Sequence, residues 1–225
     1  MPETTDRADL IGFTLTHAML RNELPRLAAA FGGSTMTSEQ EVVVEEQLRL
    51  VTDHLLRHHQ EEDEFHWPLL ASRAPGAARL LALLEAEHTE MDPLVAQVRD
   101  RGRSRGERST ALSRLSELVL AHLEEEDRSV VPLLAVHITA EEQLGSMARS
   151  RAKIPQADEL RVLAMMLAAA DEGEKSRMLA PLPEFVVSAW SEHEAPALRR
   201  VHRVLADVGG HHVHRTPAHE VREQL

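Results

Sequence analysis

The sequence predicts an all-α protein, an up-down-up-down four-helix bundle followed by a C-terminal helical annex. Four successive stretches place their apolar residues at alternating steps of three and four, the signature of a helix with one buried face. Short breaks rich in Gly, Pro or Arg separate these stretches, which sets consecutive helices antiparallel. No segment alternates with period two over the length of a strand. The short run from Glu41 to Val44 fits inside a helical pattern.

The first seam is Leu10, Phe13, His17, Leu20, Leu24, Leu27 and Phe31, and Gly32-Gly33 ends it. Residues 1–8 are expected to fray. Ser38 is the expected cap of the second helix, with Glu41 completing a capping box. Its seam runs Val44, Leu48, Val51, Leu55, His58, Glu62, Phe65, Leu69, and Pro68 is expected to bend or end it. Pro75-Gly76 makes the next connection. The third seam is Leu81, Leu84, His88, Met91, Val95, Val98. Arginines 99, 101, 103, 105 and 108 flank Gly102 and Gly106 and are expected to form a solvated loop. The fourth seam, capped by Ser109, is Leu112, Leu115, Val119, His122, Glu126, Ser129, Leu133, Val136. The bundle thus occupies residues 8–137. A helical annex at 140–208 follows, with Gly173 and Pro196 as expected breaks, and 209–225 is expected to be a mobile tail.

Composition narrows the chemistry. The 225 residues suffice for one substantial core. A net charge of −12 gives no field to recruit nucleic acid or anionic lipid. No apolar run approaches a membrane span, and MPETTDRADL has no signal-peptide core, so a cytoplasmic protein is expected. With no Cys, thiolate metal sites and iron–sulfur clusters are excluded, and with no Tyr no tyrosyl radical can form. Fourteen His is a high count for the length.

A repeat locates the chemistry. HHQEEDEFHWPLLA, starting at His58, matches HLEEEDRSVVPLLA, starting at His122, at an offset of 64 residues. The His, Glu61/Glu125, Glu62/Glu126, Asp63/Asp127 and Pro68/Pro132 all coincide. Each seam holds one His: His17, His58, His88 and His122. Two seams add a Glu one turn later, Glu62 and Glu126. A His and a Glu at i and i+4 are about 40° apart on one helix face. Uncompensated, these acids and imidazoles would be costly to bury, and no seam Lys or Arg neutralises them. Arg21 is expected to reach outward to solvent. Imidazole plus carboxylate suits Fe, Mn or Zn, and six side chains are too many for one tetrahedral zinc. A pair of divalent ions bridged by the two Glu is the economical solution, with an oxide or hydroxide bridge lowering the charge. The Glu-x-x-His pattern of ferritin-like sites occurs only once, at Glu85 and His88.

The order His17, His58-x-x-x-Glu62, His88, His122-x-x-x-Glu126 resembles the hemerythrin-like, or HHE cation-binding, family. The likeness spans about residues 8–137, and residues 160–208 resemble the C-terminal extension of some bacterial members. The resemblance implies a non-haem di-iron centre with Glu62 and Glu126 bridging and the four His as terminal ligands. Oxygen-carrying members use a fifth His on the third helix. Here Asp92 and Leu84 occupy those offsets, so a fifth ligand is sought first at His54, with Asp92 as rival and His59 ranked lower. Trp67 and Trp190 read as packing residues, and Trp67 also stands where it would shield the site from water. His66 and His137 fall at helix ends, and the tail carries His211, His212, His214 and His219.

Four functions compete. One is binding or sensing of a diatomic, O2 or NO. The second is an enzyme that decomposes peroxide or reduces a diatomic, with Asp92, His54 or Glu61 as polar helpers and an external reductant. The third is iron storage or sensing. The fourth is a partner-binding bundle without metal.

Overall fold

The computed structural model describes residues 7–210. The expected mobile tail falls almost entirely outside that range, as do residues 1–6 of the expected fraying start.

Four long helices make the bundle: α1 (Ile11–Gly32), α2 (Ser38–Glu61), α4 (Ala78–Arg99) and α5 (Arg105–Ser129). The short α3 (Trp67–Arg73) and α6 (Val131–His137) prolong α2 and α5. Helix α1 packs on α2 and α5, and α4 packs on α2 and α5, closing a four-sided bundle. No strand occurs among the described residues, apart from one isolated bridge between Arg7 and Thr139.

The caps differ from expectation. Thr37, with Gln40, forms the capping box of α2, one residue before Ser38. Ser104, with Glu107, caps α5, five residues before Ser109. Both true caps are a Ser or Thr followed three residues on by Gln or Glu, which satisfies two orphan amides at once. The arginine run is a solvated loop only in part: residues 100–104 are an exposed connection, whereas Arg99, Arg105 and Arg108 lie in the flanking helices. Arg108 is buried, gripping Glu45 at 2.6 and 2.8 Å and the carbonyl of Val98 at 2.7 Å. Arg105 donates to the carbonyls of Ala30 and Ser34 at the end of α1. Arg99 reaches Asp53 at 2.6 Å. These guanidiniums tie the connections to neighbouring helices.

The inward face of each repeat shifts by one residue beyond its Glu. After Glu62 the buried positions are His66 and Leu70, while Phe65 and Leu69 are only half-buried. After Glu126 they are Val130, Leu134 and Ile138, in place of the expected Ser129, Leu133 and Val136. In the first repeat the cause is a π turn, Glu62–His66, closed by Trp67 N–H on the carbonyl of Glu62. A π turn inserts one residue into the helix and rotates the residues beyond it. It precedes Pro68, whose ring would otherwise clash with the helix behind it. In the second repeat a break at Val130, before Pro132, has the same effect.

Two apolar clusters result. The larger runs along the bundle and includes Leu20, Leu24, Leu48, Leu55, Val95, Leu115 and Leu123. The smaller closes one end with Leu10, Phe13, Trp67, Leu70, Leu81, Leu84 and Leu134. The seam histidines and glutamates fall between them in all four chain segments.

The annex comprises α7 (Ala140–Ala152), α8 (Glu159–Ala169), α9 (Glu172–Leu179), α10 (Glu184–Ala189) and α11 (Ala195–Gly209). The break expected at Gly173 falls two residues earlier: α8 ends at Ala169, Asp171 caps α9, and Gly173 lies in the first turn of α9. Near Pro196 a second π turn, Trp190–Glu194, again stands ahead of a proline and lets α10 pass into α11. The annex lies chiefly against α1 through α8 and α11. Glu23 of α1, only 1% exposed, accepts from Gln47 at 2.8 Å and His202 at 2.7 Å. Gly33 meets the end of α11 so closely that a Cβ there would stand 2.0 Å from the carbonyl oxygen of Val208.

Gly33→Ala should therefore destabilise the chain by about 1–3 kcal/mol, as overpacking does elsewhere. Urea unfolding measures it, and an unchanged midpoint would show that the annex end moves aside at no cost.

Candidate metal centre

His17 of α1, His58 of α2, His88 of α4 and His122 of α5 are all buried in one layer, with Glu62 and Glu126 between them. The six predicted residues come together. A seventh joins them: His59 lies in a group with Glu62, His88 and His122 whose ligand atoms are all within 4.8 Å of one another. His17, His58, Glu62 and Glu126 form a second such group.

The ranking of His54 and Asp92 above His59 is overturned. Asp92 is exposed, and His54 lies outside both groups, its Nε2 3.2 Å from Thr16 Oγ1. The reason is angular and axial. The face of α2 is centred on Glu62, not on His58. From Glu62, His58 and His59 lie about 40° and 60° to either side, whereas His54 is about 80° away and roughly 12 Å along the axis. His59 stacks on His88, ring centres 4.0 Å apart and planes 9° from parallel. The matching position in the other repeat is Leu123, so the two halves are unequal.

Each carboxylate spans both halves. Glu62 places Oε1 3.4 Å from His58 Nε2 and Oε2 3.6 Å from His88 Nε2. Glu126 places Oε2 3.4 Å from His17 Nε2 and Oε1 3.1 Å from His122 Nε2. All four carboxylate oxygens are buried with no aligned hydrogen-bond donor, as are both ring nitrogens of His59.

Carboxylates behind the layer orient the imidazoles. Asp63 accepts from His88 Nδ1 at 2.9 Å, Asp127 from His17 Nδ1 at 2.7 Å, and Glu87 from His122 Nδ1 at 2.7 Å. With the proton on Nδ1, each Nε2 presents a lone pair inward. His88 and His122 then bring two lone pairs to 3.0 Å, and His17 Nε2 meets His58 Nε2 at the same distance. The His88–His122 contact repels unless a shared cation draws both nitrogens, whereas His58, with no carboxylate behind its Nδ1, can donate from Nε2 to His17. The repeat now has a mechanical meaning. In each Glu-Asp pair the Glu faces the layer and the Asp holds the His of a neighbouring helix. Arg21 does not simply reach solvent; it braces Asp127 at 2.6 Å. Nothing in the sequence marks Glu87, whereas Asp63 and Asp127 were visible as a repeated pair.

The protonation energetics agree. Burial, and then the Glu126 charge, push Glu62 well above the usual carboxylate range. Burial, then neighbouring imidazoles, hold His58 and His59 well below the ordinary value. For His122 burial is outweighed by Glu126 and Glu87, and its value is raised. The protein alone therefore disfavours charge on this Glu and these two His, and the carboxylate oxygens and the His88 and His122 lone pairs converge without donors. The residues fit metal ions.

The model of the hemerythrin HHE cation binding domain matches residues 12–134. The chain belongs to that family. Its HHE region coincides with the four bundle helices, and the annex lies beyond the match. Comparison with curated proteins and with solved structures gave no match. No described helix is long and apolar enough to cross a membrane.

The metal-free HHE layer should be strained by charge. A raised carboxyl pKa costs stability above its unfolded value and ceases to do so as pH falls below it. Glu62→Gln should thus stabilise the metal-free chain at pH 7. The gain should fade as pH approaches the ordinary value of 4.5. Chemical unfolding of chelator-treated protein tests this, and equal stabilities at pH 7 would show that the carboxylate has compensation from within the fold. Asp63→Asn and Asp127→Asn should each weaken metal affinity about 10- to 100-fold. Competition with a chromophoric chelator reads that loss, and unchanged affinity would remove the orienting role.

Proposed function

We propose that the chain holds two iron ions, with Mn or Zn as possible substitutes, and binds or senses a diatomic ligand, O2 or NO. The observation that carries this reading is the sharing of both buried carboxylates between two unequal sets of imidazoles. His59, His88 and His122 would serve one ion, and His17 and His58 the other. Glu62 and Glu126 would each offer one oxygen to both. Iron held by imidazole and carboxylate supplies reversible redox change and affinity for small diatomics. The half with two imidazoles has one protein donor fewer and is the side where a small ligand has room.

The chain's own residues supply the rest. Asp63, Asp127 and Glu87 fix ring orientation. Phe13 lies edge-on to His58 at 5.1 Å, and Trp67 lies over His88 at 6.4 Å, so apolar rings cover the layer at the closed end of the bundle. Both would keep water from bound ions, which favours a neutral diatomic over hydrated anions.

A second reading, an enzyme that breaks down peroxide or reduces a diatomic with an external reductant, draws support from one feature. Polar side chains, His54 and Glu61, line a cavity that reaches His58. Metal analysis with absorption spectra of the reduced protein, then with air, NO and peroxide, separates the two. A lasting adduct supports binding, and catalytic loss of peroxide supports the enzyme. Less than trace metal after anaerobic iron loading would sink both.

His59→Leu should lose one ion of the pair, or much of its affinity, whereas His54→Leu should retain both. Iron per chain, measured after anaerobic loading, decides it. The reverse pattern would restore His54 as the fifth ligand.

A further inference from the structure

Between the bundle and the annex lies a cavity of about 260 Å3. Its bundle wall includes Phe13, Thr16, His54, His58 and His66, and its annex wall includes Gln143, Leu160, Leu163, Met166 and Val186. We infer that this cavity is a binding site for a neutral amphipathic organic molecule of about ten non-hydrogen atoms, carrying one hydroxyl or carbonyl head.

Size sets the first limit. An apolar cavity of roughly 150 Å3 holds benzene, so one of about 260 Å3 holds a body nearly twice as large. That exceeds what a diatomic or peroxide needs. The walls set the second limit. Nine of the 21 lining residues are leucine, methionine, valine or phenylalanine, and Ile154 adds to them, which suits a hydrocarbon body.

Three buried polar atoms define the head. His54 Nδ1, His66 Nδ1 and Gln143 Oε1 have no aligned hydrogen-bond partner, although Gln143 stands close enough to His66 to act on it, and their residues are 7%, 3% and 4% exposed. Leaving such atoms unpaired in the interior is unfavourable, and a ligand that pairs them recovers that cost. A hydroxyl both donates and accepts, so it matches a set containing an amide oxygen and imidazole nitrogens. The register shift matters here, because a regular helix would place Phe65 rather than His66 on this face.

Charge sets the last limit. Glu61 is already engaged by Ser146 at 2.7 Å and Arg149 at 3.0 Å, so the only buried carboxylate on the wall is neutralised. Burial holds His54 at about 4, and holds His66 at about 4 against the opposing pull of Glu61. Neither imidazole offers an anion a counter-charge. At the rim, Arg151 and Glu159 pair with each other at 2.9 Å. A neutral ligand is therefore preferred to an ion. The half-buried residues Leu163 and Val186 lie on the annex side, and the unpaired polar atoms are deep. The molecule enters head first, towards His58.

The inference does not depend on iron, and the test keeps the two apart. The full chain is titrated calorimetrically, as purified, with 4-propylphenol, propylbenzene and 4-propylbenzoate, and metal content is measured on the same samples. Saturable one-to-one binding of 4-propylphenol is expected, at least ten-fold tighter than either comparator. Leu163→Trp should abolish it by filling the cavity, and Val186→Trp does the same from another helix should the first variant fail to fold. Gln143→Leu should bring the phenol and propylbenzene affinities within about three-fold of each other. No saturable heat with 4-propylphenol, equal binding in the folded Trp variants, or preference for the benzoate would each overturn the assignment. Metal loss with phenol binding intact would instead count against the proposed iron centre alone.

Discussion

Two carboxylates and five imidazoles are shut into a buried layer between two apolar clusters, and much else in the molecule serves to make that tolerable. Among the described residues no Lys or Arg lies within hydrogen-bond reach of either Glu. The layer's lone pairs converge where ordinary folding would place hydrogen-bond donors. A protein that kept this arrangement without a cation would bear an energetic cost with no structural return. Cation binding, shown by family membership, resolves it. The surrounding carboxylates then make sense as the outer ring that holds each imidazole in one tautomer.

The 64-residue repeat gives the bundle an approximate internal symmetry, and its functional interest lies where that symmetry fails. Glu62 and Glu126, Asp63 and Asp127, and Pro68 and Pro132 play matching parts. His59 and Leu123 do not. One imidazole more on one side leaves the two halves of the layer chemically distinct, though the helices carrying them are nearly equivalent.

The annex does more than cover the bundle. Helix α11 is fastened at Gly33 by a contact no side chain could share, and near its middle by His202 on the buried Glu23. Helices α7, α8, α9 and α10 wall a cavity that ends at His58. The metal layer and this cavity thus share a residue. A molecule lodged there would stand beside the half of the layer with fewer imidazoles.

Much of this was legible in the chain itself. Helical period and spacing give the four seams, and the inward His and Glu come with them, because a residue's direction in a regular helix is fixed by its number. The repeat also marked Asp63 and Asp127 as a pair. What the sequence could not decide lies where regular helix geometry breaks or where partners come from elsewhere in the chain. The π turn before Pro68 shifts the face by one residue and turns His66 inward in place of Phe65. Glu87 owes its role to the approach of His122 from the next helix, and His59 owes its place to the centring of α2 on Glu62. Periodicity encodes direction within one helix. Only packing sets which helix stands opposite, at what depth and in what rotation.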